Sequence, residues 1–362
     1  MDSQIDSQSS VRRRARTEED FKEAMSVARS ALDEVDAASG AFKRTPAHYR
    51  HHISQSHEIY KPETNRYHLY ISLACPWANR CYSMLYLKGL HHIITVDVVH
   101  PTWSKTKPND SSDKHAGWTF YADNDIIPSS GHGSIGYIDG CTNDTINGMR
   151  FVRDIYESVG DSFGKYTVPI LYDKKTKTIV NNESGEIIRM INSEFNEWAN
   201  GVYDFYPVSL RDSIDTLNAE VYTNINDGVY KCGFAKSQNA YNDAVRNLYH
   251  QLDRIEEILR EKRYLMGNVL TECDIRLFMT LVRFDEVYVV YFKCNKKMIA
   301  QYENINNYCR ELYQLMSPTI SMNHIKTHYY TSHSHLNPFS IIPAGPDTIV
   351  NLLLPHDRAR FD

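Results

Sequence analysis

A single cysteine stands at a predicted turn between a strand and a helix. Residues 67–73 alternate along two faces, as a strand does, and Cys75 follows closely. Pro76 suits the first turn of a helix, where a missing N–H costs nothing. The free N–H groups of a helix start favour a thiolate, so the pattern predicts a nucleophilic Cys75 with a lowered pKa. Ala78 stands where a dithiol motif would hold its second cysteine, so an outside thiol must resolve any Cys75 adduct.

Two further pairs of residues lie at the ends of predicted elements. Glu183 and Ser184 precede a helical pattern, and Ser184 is expected to be its N-cap. Because N–H groups at a helix start also bind carboxylates, this pair is a candidate anion site. Val168, followed by proline, begins a predicted strand. Cys81 lies six residues after the reactive cysteine, nearly two helical turns, and is expected to face elsewhere.

The elements that position these residues follow a recognisable order. The predicted elements of the first half are a βαβ unit over 67–99, a helix over 151–158, strands over 167–172 and 178–180, and a helix over 182–197. Residues 100–150, rich in Gly, Asn, Asp and Ser, are predicted to be a long irregular insertion. Beyond a boundary near 200–212, residues 210–330 are predicted to form successive helices, one of them buried at 270–284.

Composition excludes several classes of protein. The chain has 362 residues, of which 42% are hydrophobic, which is enough for two domains with buried cores. A formal net charge of −5 argues against a general nucleic-acid-binding protein, which needs a basic surface. No apolar run approaches the roughly 18 residues of a membrane span, and the polar N-terminus is unlike a secretory signal. Seven scattered cysteines do not predict a disulfide framework, so we expect a cytoplasmic protein.

Three weaker patterns have simpler interpretations. Four arginines within 12–16 are typical of a solvated tail, with a nuclear-localisation signal as the alternative, and Thr17 begins a predicted helix. The order Thr-Glu-Cys-Asp at 271–274 predicts a capping arrangement before an apolar helix. His324 and His328 are four residues apart, but no further ligands complete a metal site, so no metal is expected.

Several sequence strings together resemble one family. They are LYISLACPWANR, GWTF, TVPILYDKKTKTIVNNESGEIIRM, GVYKCGFA, LTECDIRLFMTLVRFDEVYVVYFKCN and HIKTHYYTSH, within residues 60–345. The chain resembles the glutathionyl-hydroquinone reductases, also called Xi-class glutathione transferases. The resemblance implies an α/β thioredoxin-like domain followed by an all-helical domain. The implied divisions are an N-terminal extension (1–60), a glutathione-binding domain (61–205), a helical C-terminal domain (206–345) and a tail (346–362).

Some positions depart from the family pattern. Asn79 stands where the family usually has histidine, and Cys232 and Cys273 stand where alanine is usual. Residues 104–116 and 123–147 are longer than is typical. None of these departures removes an implied site residue, but the longer loops affect the shape of the acceptor pocket.

The resemblance also implies a set of site residues. The implied catalytic residues are Cys75, Tyr230 and Tyr330, with Tyr329 the alternative to Tyr330. The implied glutathione-binding residues are Trp118, Val168, Glu183 and Ser184. Val168 would precede a cis proline and offer its backbone to the cysteinyl part of glutathione. Glu183 and Ser184 would bind the γ-glutamyl end, and the two tyrosine hydroxyls would assist a departing hydroquinone.

We therefore expect a glutathione-dependent oxidoreductase. Its substrate would be a glutathionyl-hydroquinone, reduced through a mixed disulfide between Cys75 and glutathione. Glutathione is a co-substrate, no cofactor is held permanently, and the family implies a homodimer. One alternative is an omega-like thiol transferase that reduces dehydroascorbate or removes glutathione from proteins. The other is a non-enzymatic binding protein of the same fold.

Overall fold

A four-stranded sheet organises the first half of the chain. The computed structural model describes residues 34–201 and 203–362, so the arginines of 12–16 and the helix expected at Thr17 lie outside the described residues. The strands are β1 (Tyr67–Ile71), β2 (Thr95–Val98), β7 (Ile170–Asp173) and β8 (Thr178–Asn181), in the order β2-β1-β7-β8. β1 and β2 are parallel, whereas β1 with β7 and β7 with β8 are antiparallel. The expected thioredoxin-like order of elements is confirmed.

Three helices accompany this sheet. They are α1 (Pro76–Leu87), α2 (Val152–Ser158) and α3 (Ser184–Ser193). α1 connects β1 to β2, and Gly89, with φ +67°, follows its last turn. A left-handed residue at that position suits glycine, which has no Cβ to clash with the backbone. α1 and α3 pack together, which brings their N-termini to the same side of the sheet.

The second half of the chain is helical, as expected. Its helices are α4 (Arg211–Val221), α5 (Gly228–Phe234), α6 (Gln238–Glu261), α7 (Glu272–Arg283), α8 (Val289–Tyr291), α9 (Glu303–Met316), α10 (Met322–Ser332) and α11 (Thr348–Leu352). Thr271 and Asp274 form the predicted capping box, with Thr271 N donating to Asp274 Oδ2 at 2.8 Å. Every residue of α7 except Arg276 is buried. A π-helical turn, Phe284–Tyr288, continues α7 towards α8.

The expectation of an irregular insertion over residues 100–150 is wrong in part. This stretch contains two antiparallel pairs, β3 (His100–Lys105) with β4 (Ala116–Thr119), and β5 (Ile127–Pro128) with β6 (Ser134–Ile135). The first pair packs on α10, where Thr102 Oγ1 and Thr331 Oγ1 lie 2.9 Å apart. Trp103 N also donates to Ser332 Oγ at 2.9 Å. These tertiary contacts stabilise strands that local composition does not favour.

Residues 34–60, here called the N-terminal segment, lie against both halves of the chain. His51 N donates to Val180 O at 3.0 Å, and Asn182 N donates to Tyr49 O at 3.0 Å, so the segment pairs with β8. On the other side, Lys236 N donates to Gly40 O at 2.8 Å, close to α5. The segment therefore bridges the sheet and the helices.

Neither a helix able to span a membrane nor a cluster of metal-ligating side chains is found within residues 34–201 and 203–362. No helix there has the length and apolar composition that crossing a membrane requires. The same residues contain no group of three or more His, Cys, Asp or Glu side chains placed to hold a metal ion. His324 Nε2 lies 2.9 Å from Asp139 O, and His328 Nδ1 lies 2.8 Å from Pro101 O, so each ring contacts a backbone carbonyl.

Candidate active site

Cys75 lies at the turn that the sequence predicted. It is the N-cap residue of α1, with Pro76 first in the helix, and it is 7% exposed. Its Sγ lies 3.7 Å from Val168 O, across the gap between α1 and the segment that leads into β7. The peptide bond between Val168 and Pro169 is cis, as the resemblance implied. Cys75 and Val168 therefore face each other beside the sheet.

The expectation of a lowered thiol pKa is wrong for this structure. Burial raises the pKa of the Cys75 thiol above its ordinary value. The backbone N–H groups of Ala78 and Trp77, and the charges of Arg283 and Arg44, lower it, but they do not offset the loss of hydration. The favourable contribution of the helix start is therefore present but smaller than the desolvation of the buried thiol.

We expect alkylation of Cys75 by iodoacetamide, in protein free of glutathione, to titrate with a midpoint above about 8.5, the usual value of a free cysteine. Because the pKa of the Cys75 thiol is raised in the folded protein, only a small fraction is thiolate at pH 7. That fraction increases as the pH approaches the midpoint. The measurement is the alkylation rate of the Cys75 peptide by mass spectrometry, since all seven cysteines are free. A midpoint below about 7 would restore the original expectation that the helix start activates the thiol.

A buried arginine holds the turn that carries Cys75. Arg283, at the end of α7, is fully buried. Its Nε donates to Ala74 O at 3.0 Å, and its Nη2 donates to Leu73 O at 2.9 Å and to Asn79 Oδ1 at 2.8 Å. Asn79 in turn donates to Thr319 O at 2.7 Å. Sequence reasoning missed Arg283, although a cation at the end of a largely apolar helix was the available signal.

Glu183 and Ser184 begin α3, but their roles at the cap are exchanged. Glu183, not Ser184, is the N-cap residue, and its Oε1 accepts from Gly185 N at 2.9 Å. Ser184 is the first helical residue, and its Oγ accepts from Arg80 Nη2 at 2.6 Å. The same Arg80 atom lies 3.5 Å from Glu183 Oε1. Both side chains therefore remain at the helix start, next to an almost fully buried guanidinium.

A cavity joins several of the predicted site residues. Val168, Glu183 and Ser184 line it, together with Trp77 and Tyr222. Residues 44–49 of the N-terminal segment form another wall, and α2 and the loop that follows it form a third. Sequence reasoning treated residues 1–60 as an extension and missed this contribution, because it depends on pairing with β8.

Trp118 is placed differently. It lies on β4, buried to 6% exposure, with its ring stacked on His328 at a centroid distance of 4.5 Å. Trp103 packs against it edge to face at 5.5 Å. Trp118 does not line the cavity that the described residues form around Val168 and Glu183. The structure therefore does not bring Trp118 together with the other predicted glutathione-binding residues.

Three tyrosine hydroxyls meet between α5, the π-helical turn and α10. Tyr230 Oη and Tyr329 Oη lie 2.6 Å apart, and Tyr288 Oη lies 2.9 Å from Tyr329 Oη. Tyr330 instead donates to Glu286 O at 2.8 Å, away from this group. Of the two alternatives left open by the sequence, the structure joins Tyr329, not Tyr330, to Tyr230. Tyr288 was missed, and its position in an apolar run offered no signal.

Comparison with known proteins supplies the family context. Two family models match: "Glutathione S-transferase, N-terminal domain" over residues 74–194 and "Glutathione S-transferase, C-terminal domain" over 238–311. Glutathionyl-hydroquinone reductase YqjG of Escherichia coli K12 is 45% identical over 287 residues, 78% of this chain and 80% of YqjG. Glutathionyl-hydroquinone reductase PcpF of Sphingobium chlorophenolicum is 40% identical over 321 residues, 88% of this chain and 94% of PcpF. The glutathione-bound structure of YqjG matches at 40% identity and a TM-score of 0.75, over 89% of this chain and 98% of that one.

Proposed function

Because this chain belongs to the Xi-class glutathione transferases, the family of the glutathionyl-hydroquinone reductases, we propose that it reduces glutathionyl-hydroquinones with glutathione. The observation that carries the proposal is the Cys75 thiol at the start of α1, facing Val168 O. Cys81 Sγ lies 3.6 Å from both Trp77 O and Ser184 O. Since Cys81 is engaged with these carbonyls, the resolving thiol comes from glutathione.

The proposed reaction has two covalent stages. The Cys75 thiolate attacks the sulfur of the glutathionyl-hydroquinone, forming a disulfide and breaking the sulfur–carbon bond. The substrate reacts as its keto tautomer, in which the carbon bonded to sulfur carries a proton, so the electron pair of the broken bond passes to the carbonyl oxygen. The phenolate formed in this way takes a proton from solvent and leaves as the hydroquinone. A second glutathione, as its thiolate, attacks the mixed disulfide and releases oxidised glutathione and the Cys75 thiolate. In sum, glutathionyl-hydroquinone and glutathione give hydroquinone and glutathione disulfide.

The proposed glutathione contacts follow from the cavity. The backbone of Val168 binds the cysteinyl part, which places the glutathione sulfur beside Cys75. Glu183 binds the γ-glutamyl ammonium, and Ser184 with the N–H groups of the α3 start binds its carboxylate. We retain Trp118 as a contact only on the family resemblance, since it lies away from these residues.

We expect Glu183→Ala to raise the KM for glutathione more than it lowers kcat, because the contact is remote from sulfur. Losing a charge-assisted hydrogen bond should cost roughly 1.5–3 kcal/mol, about ten- to a hundredfold in KM. Steady-state kinetics with varied glutathione measures the change. Glu183→Gln is the control, because its amide oxygen can still accept from Gly185 N while the charge is gone. If Glu183→Gln keeps the original KM, Glu183 only caps α3.

Mass spectrometry tests the covalent intermediate. The protein is exposed to a glutathionyl-hydroquinone without free glutathione, and the expected product carries one glutathione on the Cys75 peptide. Added glutathione should then remove it. An adduct of the intact hydroquinone, or no adduct at all, would contradict the proposal. Relative rates on the glutathionyl-hydroquinone and on dehydroascorbate distinguish it from omega-like thiol transfer.

The proposal includes a cytoplasmic homodimer. Turnover that consumes reduced glutathione is favoured in a reducing compartment, and all seven cysteines are free and buried in the structure. Sedimentation at several protein concentrations would determine the number of subunits. The proposal also divides the chain after residues 60, 205 and 345, into an N-terminal extension, two domains and a tail.

A further inference from the structure

The N-terminal segment carries a cation into the active site. Arg44 lines the same cavity as Val168 and Glu183, and its side chain is 18% exposed. Its Nε donates to Asp227 Oδ1 at 2.7 Å. Its Nη2 is buried and has no hydrogen-bond partner among the described residues. The ion pair therefore anchors one edge of the guanidinium and leaves a donor free on the other.

Aromatic rings fix the guanidinium between the start of α1 and the tyrosine cluster. Arg44 Cζ lies 5.1 Å from the ring of Trp77, two residues after Cys75, and 4.9 Å from the ring of Tyr230. Phe42 covers it at 5.1 Å. A guanidinium is weakly hydrated and stacks on aromatic faces, so it keeps its charge when buried in this way.

The single negative charge of Asp227 is shared between two cations, Arg44 and Lys231. Its Oδ2 lies 3.6 Å from Lys231 Nζ, while its Oδ1 accepts from Arg44. The group of Arg44, Asp227 and Lys231 therefore has a formal charge of +1. Tyr222, which also acts on Arg44, has its pKa raised by burial and is neutral at pH 7.

Titratable and charged groups from several elements lie close enough to the Cys75 thiol to interact with it electrostatically. Cys81 and Tyr230 have pKa values raised by burial and are neutral at pH 7. Arg283 and Arg44 are cations whose charge lowers the pKa of the thiol. Arg283 donates through Nε and both Nη atoms to protein oxygens. Arg44 therefore differs from Arg283 in having a buried donor that is not engaged.

We propose that Arg44 is a further residue of the reaction, whose guanidinium, held between Trp77 and Tyr230, supplies positive charge that stabilises the Cys75 thiolate. The N-terminal segment thereby contributes to the chemistry as well as to the cavity wall. The consequence for turnover rests on the proposed function. The consequence for the thiol itself can be measured without any hydroquinone, so failure of the two proposals is distinguishable.

The test compares variants by the pH dependence of Cys75 alkylation, and by kcat/KM. Arg44→Met should move the alkylation midpoint up by roughly one pH unit, within the range expected for loss of a nearby opposite charge. Alkylation at pH 7 should then slow about tenfold. Arg44→Lys keeps the charge and should recover most of the rate. Lys43→Met is the matched control, because it removes one exposed cation from the next residue, paired with Asp36 at 2.8 Å.

The outcomes separate charge from structure. Equal midpoints in Arg44→Met and the unmodified protein would overturn the proposal. So would an equal shift in Lys43→Met, or a lysine variant as slow as the methionine variant. A raised glutathione KM with unchanged alkylation would show instead that Arg44 binds ligand. If Arg44→Met fails to fold by circular dichroism, Arg44→Gln provides the neutral variant for the same comparison.

Discussion

Replacing Cys75 with serine is expected to remove nearly all reductase turnover while the protein remains folded. Serine nearly preserves the volume at the start of α1, but its hydroxyl cannot form the disulfide that the proposed first stage requires. The expected loss is at least about 10³-fold, because no other group can supply the covalent path. The measurement is single-turnover release of hydroquinone, with thermal unfolding to verify the fold.

Cys81→Ser is the matched control for this variant. Cys81 lies on the same helix, is fully buried, and its thiol faces Trp77 O and Ser184 O, so Cys81→Ser makes the same thiol-to-hydroxyl change away from the proposed reaction. We expect it to retain turnover and to form the Cys75 adduct. Substantial turnover in Cys75→Ser would refute the covalent mechanism. Loss in both variants would point to a packing effect.

Tyr230→Phe and Tyr329→Phe are expected to slow the release of hydroquinone by about 10²-fold each, the usual effect of losing one donor to a developing oxyanion. Each change keeps the ring and removes a hydroxyl from the pair that lies 2.6 Å apart. A small glutathione-containing disulfide has no phenolic leaving group, so its reduction should be nearly unaffected. The ratio of the two rates is therefore the decisive measurement.

Tyr330→Phe distinguishes the two neighbouring tyrosines. Tyr330 donates to Glu286 O, so removing its hydroxyl should leave the ratio of rates unchanged. A large fall in Tyr330→Phe, with none in Tyr329→Phe, would reverse the assignment made from the structure. A parallel fall on both substrates in Tyr230→Phe would show that this hydroxyl supports packing and not the leaving group.

The parts of this fold that the sequence predicted are those specified locally. Cys75 with Pro76 marks the start of α1 because a strand and a helix meet there, and Thr271 with Asp274 caps α7 within four residues. The order of strands and helices from residue 67 onward is likewise predicted by the periodicity of the hydrophobic residues and by the residues typical of turns. Such signals need no knowledge of distant contacts.

The parts that the sequence did not predict depend on residues far apart in the chain. Arg44 and its partner Asp227 are 183 positions apart in the sequence, and Arg283 and Ala74, which are hydrogen-bonded, are 209 positions apart. Adjacent residues of α10 point in different directions, so the choice between Tyr329 and Tyr330 needed the packed helix. The thiol pKa also depends on burial, which only the packed structure determines.

The pairing of the N-terminal segment with β8 has a consequence for how this chain avoids aggregation through the edge of its sheet. β8 lies at one end of the sheet order, and without a partner its outer N–H and C=O groups would be a template for strands of other molecules. Tyr49 and His51 occupy that position with backbone hydrogen bonds to Asn182 and Val180. Tyr49 precedes Asn182 by 133 positions, so the covering segment is already synthesised when β8 emerges. The edge of β8 can therefore be covered as soon as that strand joins the sheet.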